Sequence, residues 1–203
     1  MKAFKRIIAL VLTIGILTTV FSACGKGQDS ANDEGDGNTT VSDVPGGGVK
    51  INMSITEEVS NIDPNMAFSQ SSMQMISLTN EGLMTFDTNG KVTCGLAESY
   101  DVSEDGKTYT FHLRDDAYWS NGTKVTSNDF MFSWQRLANP ETGSVYSYML
   151  GTLGVKNGFT VPAGQADISE LGISAPDEST FVVELDGPRT YFLYLIAMAS
   201  YFM

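Results

Sequence analysis

Residues 96–130 constrain the fold most, because the signals for a turn, a strand and a helix occur there in that order. Tyr109, Phe111 and Leu113 alternate with polar residues, which is the period-2 pattern of a strand with one buried face. A tight turn is predicted just before it, at residues 103–106, where the final glycine can adopt a positive φ. This half of the stretch predicts a strand hairpin with an apolar side.

The second half of the stretch predicts a helix with defined ends. A turn at residues 120–122 leads to Thr126, which is followed three residues later by Asp129, the spacing of a helix N-cap with a capping box. Asn139 and Pro140 end the helix, because proline cannot continue it. We therefore expect strands followed closely by a capped amphipathic helix.

The rest of the chain favours a mixed architecture. Residues 49–55 alternate as a first strand, and apolar residues at helical intervals predict a short helix over 72–80. From residue 81 the pattern indicates a hairpin, two strands, a helix, a loop region at 151–170, a strand at 180–185 and a closing helix. The fold class predicted from these elements is α+β.

Aromatic side chains crowd the central part of the chain. A cofactor box or a carbohydrate platform would use such residues, but their spacing on strand and helix faces favours core packing. The residues assigned to the core in this way are Tyr100, Tyr109, Phe111, Tyr118, Trp119, Phe130, Phe132 and Trp134.

The N-terminus carries the pattern of a bacterial lipoprotein signal peptide over residues 1–23. A basic start is followed by an apolar run at 7–20 and by small residues before Cys24. The apolar run is shorter than the ~20 residues that a membrane-spanning helix needs. We therefore expect Cys24 to be acylated as the first residue of the mature protein. Residues 24–48 are rich in Gly, Asp, Asn and Ser, which predicts a flexible linker.

Composition excludes several classes of function. The net charge of −12 disfavours nucleic-acid binding, because an acidic surface repels phosphates. The only histidine, His112, falls on the polar face of a predicted strand, and Asp115 and Asp116 are read as a solvated turn. No nucleophile motif, phosphate loop or metal-ligand spacing accompanies them, and Cys94 is read as a buried inert thiol. The sequence thus predicts no enzyme, no cofactor and no metal site.

Four segments in order resemble the extracytoplasmic solute-binding proteins of peptide ABC importers, the oligopeptide- and dipeptide-binding family. They are IDPNMAFSQ at 62–70, EGLMTFDTNGKV at 81–92, LAESYDVSEDGKTYTFHLRDDAYWSNGTKVTSNDFMFSWQRLANPETGSVYSYML at 96–150 and LGISAPDESTFVVELDGPRTYFLYL at 171–195. The resemblance implies a type II, two-lobed periplasmic-binding-protein fold, with the start of lobe one at 49–80 and a small subdomain at 81–203. Complete members of this family are more than twice as long, so the resemblance implies an N-terminal fragment that lacks lobe two.

Ligand contacts are implied only by the resemblance. In peptide-binding members, the segment after Asp-Pro runs along the ligand and pairs with its main chain as an added strand. Here that segment is residues 67–70, where Phe68 and Gln70 are expected to pair and Ser69 lies between them. The family's tyrosine after Pro-x-Thr corresponds to Tyr146, which is expected to line the ligand; a packing role for Tyr146 is the alternative.

The function implied is that of a lipid-anchored receptor at the extracytoplasmic face of the cell membrane. It would capture oligopeptides and deliver them to the permease subunits of an ABC importer, without making or breaking a bond. The alternative is a truncated or transport-defective lipoprotein of the same fold that acts in sensing or interaction.

Overall fold

The computed structural model describes residues 52–198, which contain both helices and strands. The predicted signal peptide, Cys24 and the predicted linker lie outside the described residues. Residues 54–198 belong to one unit. Their regular elements are, in chain order, α1 (Gln70–Thr79), β1 (Met84–Phe86), β2 (Val92–Cys94), β3 (Ala97–Val102), β4 (Thr108–Leu113), α2 (Ser127–Ala138), α3 (Met149–Thr152), β5 (Ile173–Asp177), β6 (Thr180–Glu184) and α4 (Phe192–Met198).

The hairpin formed by β3 and β4 confirms the strand and turn predicted there. Gly106 has a φ of +68° and its N–H donates to the carbonyl oxygen of Ser103 at 2.8 Å. A side chain is strained at such a φ, so glycine suits this position. The residues Tyr109, Phe111 and Leu113 are all buried on one face of β4. The face of β4 that the alternating pattern predicted to be apolar is therefore the face that is buried in the structure.

The main sheet has the strand order β3-β4-β6-β5, and every neighbouring pair is antiparallel. The strands β1 and β2 form a separate antiparallel pair. The edge strand β5 was not predicted from the sequence, because Pro176 lies inside it. Proline lacks an N–H and is tolerated mainly in edge strands and at irregularities. The register between β5 and β6 shifts between Ser174 and Asp177, next to that proline.

The helix α2 packs against the sheet and begins and ends as predicted. The N–H of Thr126 donates to Asp129 Oδ2 at 2.7 Å, which is the reciprocal half of a capping box. The hydroxyl of Ser127 donates to the carbonyl of Asp177, so the start of α2 is joined to the end of β5. The buried ring of Phe181 in β6 lies with its centroid 5.4 Å from that of Trp134 in α2.

The prediction that all eight aromatic residues pack in the core was wrong for four of them. Tyr100, Tyr118, Trp119 and Phe132 are 38%, 61%, 44% and 69% exposed. Tyr100 lies on the edge strand β3, and Tyr118 and Trp119 lie in the connection between β4 and α2. Phe132 follows the buried Phe130 by two positions, which places it on the opposite side of the helix.

The N-terminal part of the described chain differs in two respects from the prediction. Residues 52–55 form no strand, and Met53 and Ile55 are 46% and 38% exposed. The helix α1 begins at Gln70, two residues earlier than predicted, and ends at Thr79. Within residues 52–198, no helix combines the length and the apolar character needed to cross a membrane.

Candidate functional site

The segment predicted to run along a ligand lies immediately before α1. The side chain of Phe68 is 66% exposed. Ser69 has an extended backbone, with φ −79° and ψ 149°, and its hydroxyl oxygen accepts the N–H of Ser72 as the helix N-cap. Gln70 is the first residue of the helix, so the extended part of the segment ends at Ser69.

Several backbone groups of this segment make no hydrogen bond to any residue in the part of the chain that the structure describes. They are the N–H and C=O of Phe68 and the N–H groups of Ser69 and Gln70. The N–H of Gln70 belongs to the first helical turn, where no intrahelical acceptor exists. We call these three N–H donors and one C=O acceptor the edge; it lies next to the exposed phenyl ring of Phe68.

A turn fixes the chain just before that edge. The N–H groups of Met66 and Ala67 donate to the carbonyl oxygen of Asp63 at 3.0 and 2.8 Å, with Pro64 in the second position of the turn. The carboxylate of Asp63 also accepts the N–H of Asn65 at 3.1 Å. Asp63 and Pro64 therefore occupy the first two positions of this turn.

An arginine from α2 holds this turn. The Nη1 and Nη2 atoms of Arg136 donate to the two carboxylate oxygens of Asp63 at 2.6 and 2.5 Å, and Nη1 also donates to Asn65 Oδ1 at 3.0 Å. The hydrogen bond from Arg136 holds the pKa of Asp63 below its ordinary value, although partial burial opposes this shift. The fork geometry makes this a directional contact.

A second contact joins the turn to the segment that carries Tyr146. The hydroxyl of Ser144, which is buried, donates to the carbonyl oxygen of Asn65 at 2.5 Å. The hydroxyl oxygen of Ser144 also accepts the N–H of Tyr146 at 3.3 Å. The Tyr146 ring is half-buried against the core, and its centroid lies 6.5 Å from that of Tyr148. The structure thus connects, through Ser144, the turn that precedes residues 67–70 to the segment that carries Tyr146.

A groove of about 1190 Å³ lies between the C-terminal end of α1, the connection from β4 to α2, and α2 itself. Pro64, Asn65 and Arg136 line it. Phe68, Ser69, Gln70 and Tyr146 do not. The predicted ligand contacts therefore lie outside the groove, whereas two residues of the Asp63 turn line it.

Three of the charged side chains that line the groove are paired with one another. Arg114 Nη2 lies 3.0 Å from Glu81 Oε2, and its Nε lies 3.2 Å from Asp116 Oδ1. Exposed apolar side chains, including Leu78 and Phe132, contribute to the lining. Asp116 is part of the solvated turn that the sequence predicted.

The remaining reactive side chains lie on strands. His112 Nε2 is 2.9 Å from Asp101 Oδ2 on the outer face of the β3–β4 hairpin, and both side chains are substantially exposed. This agrees with the polar face predicted for His112. The thiol of Cys94 in β2 is free and the residue is half-buried, whereas the sequence predicted a buried one.

Sequence reasoning missed the partners of the turn, Arg136, Asn65 and Ser144. Arg136 is separated from Asp63 by 73 positions, and Ser144 from Asn65 by 79. The one available signal was a basic residue near the end of α2, in a position close to the buried Trp134 and Leu137. A lone arginine there is equally compatible with a favourable interaction with the helix dipole.

Comparisons with known proteins identify the family of the chain. Residues 91–203 match the family model of bacterial extracellular solute-binding proteins, family 5 Middle. The chain is 38% identical over 152 residues to the dipeptide-binding protein of Lactococcus lactis, and 34% identical over 201 residues to the oligopeptide-binding protein OppA of Bacillus subtilis. These alignments cover 75% and 99% of this chain but 27% and 35% of those proteins.

A solved structure extends the likeness to the fold. Haemophilus influenzae OppA in complex with the peptide RPPGFSPFR superposes with a TM-score of 0.66 at 40% identity, covering 69% of this chain and 27% of that one. The α+β unit of residues 54–198 therefore corresponds to part of a periplasmic-binding-protein fold. By the match over residues 91–203 and these relatives, the chain belongs to the bacterial extracellular solute-binding proteins of family 5.

Proposed function

We propose that this chain is part of a receptor that binds oligopeptides along residues 67–70 and serves an ABC importer. The observation that carries the proposal is the exposed edge at Phe68, Ser69 and Gln70, whose backbone donors and acceptor lack partners among the described residues. The peptide seen with the Haemophilus relative supports the choice of ligand class. The chain spans about a third or less of its curated relatives, so the activity of a whole receptor remains part of the proposal.

Main-chain pairing explains how such a receptor accepts many sequences. An extended peptide that lies along this edge offers a ladder of N–H and C=O groups whatever its side chains are. Phe68 would supply one donor and one acceptor, and Gln70 one donor. Tyr146 would contact the ligand from the other side of the Asp63 turn. Binding of this kind involves no covalent step.

Calorimetry with two matched peptides tests this mode of binding. The ligands are tetra-alanine and its analogue with N-methyl groups on the peptide nitrogens of its second and third residues. We expect the full chain to bind tetra-alanine and to bind the methylated analogue about fivefold or more weakly, since a lost hydrogen bond is worth about 1 kcal/mol. Tetra-serine is the control for side-chain changes and should bind within about twofold of tetra-alanine, as expected for main-chain recognition. Equal affinity for the methylated analogue would contradict main-chain pairing.

The proposal also includes a lipid anchor at Cys24, a residue that lies outside the described part of the chain. A diacylglycerol on its thiol, with a further acyl chain or a second signal, would hold the receptor beside the permease. Growth of the producing bacterium with a radiolabelled fatty acid tests this anchor. The wild-type protein should carry the label, and Cys24→Ala should not, while Cys94→Ala is the matched control and should remain labelled. An unlabelled wild-type protein would refute the anchor without affecting the peptide site.

A further inference from the structure

We propose that Arg136 and Ser144 are positioning residues that set the ligand-contacting edge and Tyr146 at a fixed distance from each other. This inference rests on the proposed function, because it assigns a role in peptide binding to two residues outside the edge itself. Neither residue belongs to the segment 67–70, and both contact the turn that precedes it. We call Asp63, Asn65, Arg136 and Ser144 the turn clamp.

The clamp joins the edge to the buried core formed by α2 and the sheet. Arg136 lies in the last turn of α2, between Trp134 and Leu137, which are both completely buried. A guanidinium that donates two parallel bonds to one carboxylate fixes its orientation as well as its distance. The Asp63 turn is therefore held to the core of the sheet and helix, and the edge begins at Phe68, five residues after Asp63.

Asn65 is held from two directions at once. Its side-chain oxygen accepts a hydrogen bond from Arg136, and its carbonyl oxygen accepts one from Ser144. Asn65 is 3% exposed, so water does not compete readily for these bonds. Asn65, which lies three residues before Phe68, is therefore held in a fixed position.

Ser144 extends the same restraint to Tyr146. Its hydroxyl donates to Asn65 and accepts the N–H of Tyr146, so one oxygen atom connects both elements. A peptide that contacts the edge and Tyr146 together needs both surfaces already in place. If they had to be ordered on binding, the ordering cost would reduce the affinity.

The sharpest test replaces Arg136 by lysine. Lysine keeps the charge and the helix propensity but cannot donate a planar fork to Asp63 while also reaching Asn65. Arg114→Lys is the matched control, since Arg114 also pairs with two carboxylates but has no contact with the turn clamp. Ser144→Ala is a second variant, which breaks the clamp at a different point if Arg136→Lys folds poorly.

Two measurements are made on each full-length variant. Calorimetry with tetra-alanine should show about fivefold weaker binding for Arg136→Lys and Ser144→Ala, as expected if ordering the loosened turn on binding costs about as much as immobilising one side chain, and a change under about twofold for Arg114→Lys. In the absence of peptide, hydrogen exchange at the N–H groups of Met66 and Ala67, which form the turn, should be faster in Arg136→Lys and Ser144→Ala than in the wild type. The amides of β4 should exchange as in the wild type.

The outcomes separate this inference from the proposed function. If the wild-type chain binds neither tetra-alanine nor tetra-serine, the proposed function fails, and the positioning role in binding fails with it. If the wild type binds and both clamp variants bind equally well, only the positioning inference is overturned. Uniformly faster exchange throughout β4 and the turn would also overturn it, because the clamp would then be a general stabilising contact.

Discussion

The hydroxyl of Ser144 donates to the carbonyl oxygen of Asn65 at 2.5 Å, and this bond joins two segments that are 79 residues apart in sequence. Both groups are buried, so the bond is shielded from water. The contact links the turn before α1 to the connection after α2. It is a long-range feature on which the geometry of the candidate site depends.

Replacement of Ser144 by alanine should destabilise the protein. The carbonyl of Asn65 would lose its donor inside the protein, and we expect the free energy of unfolding to fall by about 1–2 kcal/mol. Urea denaturation measures this change. Ser147→Ala is the matched control, because the Ser147 hydroxyl makes no hydrogen bond to the described residues and its loss should be nearly neutral. Equal effects of the two changes would contradict the assignment.

Asp63 should make stability depend on pH. Its pKa is lower in the folded protein than its ordinary value of 3.8, chiefly through the hydrogen bond from Arg136. The stabilisation is therefore complete above about pH 4–5 and is lost as the pH falls through the lower folded pKa. Both side chains are one-third exposed, so the contribution after solvent screening is about 1 kcal/mol.

Urea denaturation of the wild type and of Asp63→Asn between pH 2.5 and pH 7 measures this contribution. The stability difference between the two proteins should be constant from about pH 5 to pH 7 and should shrink at lower pH. If the stability difference between the two proteins were equal at pH 2.5 and pH 7, the ionised carboxylate of Asp63 would not be the source of the stabilisation.

Replacement by alanine should lower the free energy of unfolding much more at the buried Phe181 than at the exposed Phe132. Phe181 is fully buried, and its ring centroid lies 5.8 Å from that of Phe130 and 5.4 Å from that of Trp134. Phe181→Ala should lower the free energy of unfolding by about 3–5 kcal/mol, through lost burial and a cavity. Phe132→Ala removes the same side chain from a position that is 69% exposed and should change it by less than about 0.5 kcal/mol. Thermal unfolding distinguishes the two outcomes.

Gln70 allows a direct test of the backbone donor proposed to bind the ligand. It is the first residue of α1 and follows an extended residue, a position at which proline is well tolerated. Gln70→Pro should therefore preserve the helix but remove the N–H, and binding of tetra-alanine should weaken about fivefold. Gln70→Ala keeps the N–H and should bind as the wild type does. Weaker binding by the alanine variant alone would assign the contact to the side chain.

Local sequence patterns were sufficient for those elements whose stability depends on near neighbours. The buried face of β4, the turn at Gly106 and the capping box of Thr126 and Asp129 are each determined within a few residues. Each also uses a residue type with a specific physical role, such as the positive φ of glycine. The strand β5 was missed because Pro176 normally argues against a strand, and only its position at the sheet edge makes it acceptable.

The candidate site could be predicted only in part. The segment 67–70 and Tyr146 were inferred from the family resemblance, and their roles in binding remain predictions. The contacts of Arg136 and Ser144 could not be inferred, because no periodicity relates residues more than 70 positions apart. The exposure of Trp119 was missed for a similar reason, since hydrophobicity alone does not tell which part of a connection faces the core.

The 73-residue separation between Asp63 and Arg136 also has a consequence for the order in which the protein is made. At roughly 5–20 residues per second, the ribosome adds Arg136 roughly 4–15 s after Asp63. During that interval the turn has neither its arginine nor the serine that lies further along the chain. The proposed binding edge is thus among the earliest described segments to be synthesised, and we expect it to acquire its native geometry only after α2 and Ser144 have joined the fold.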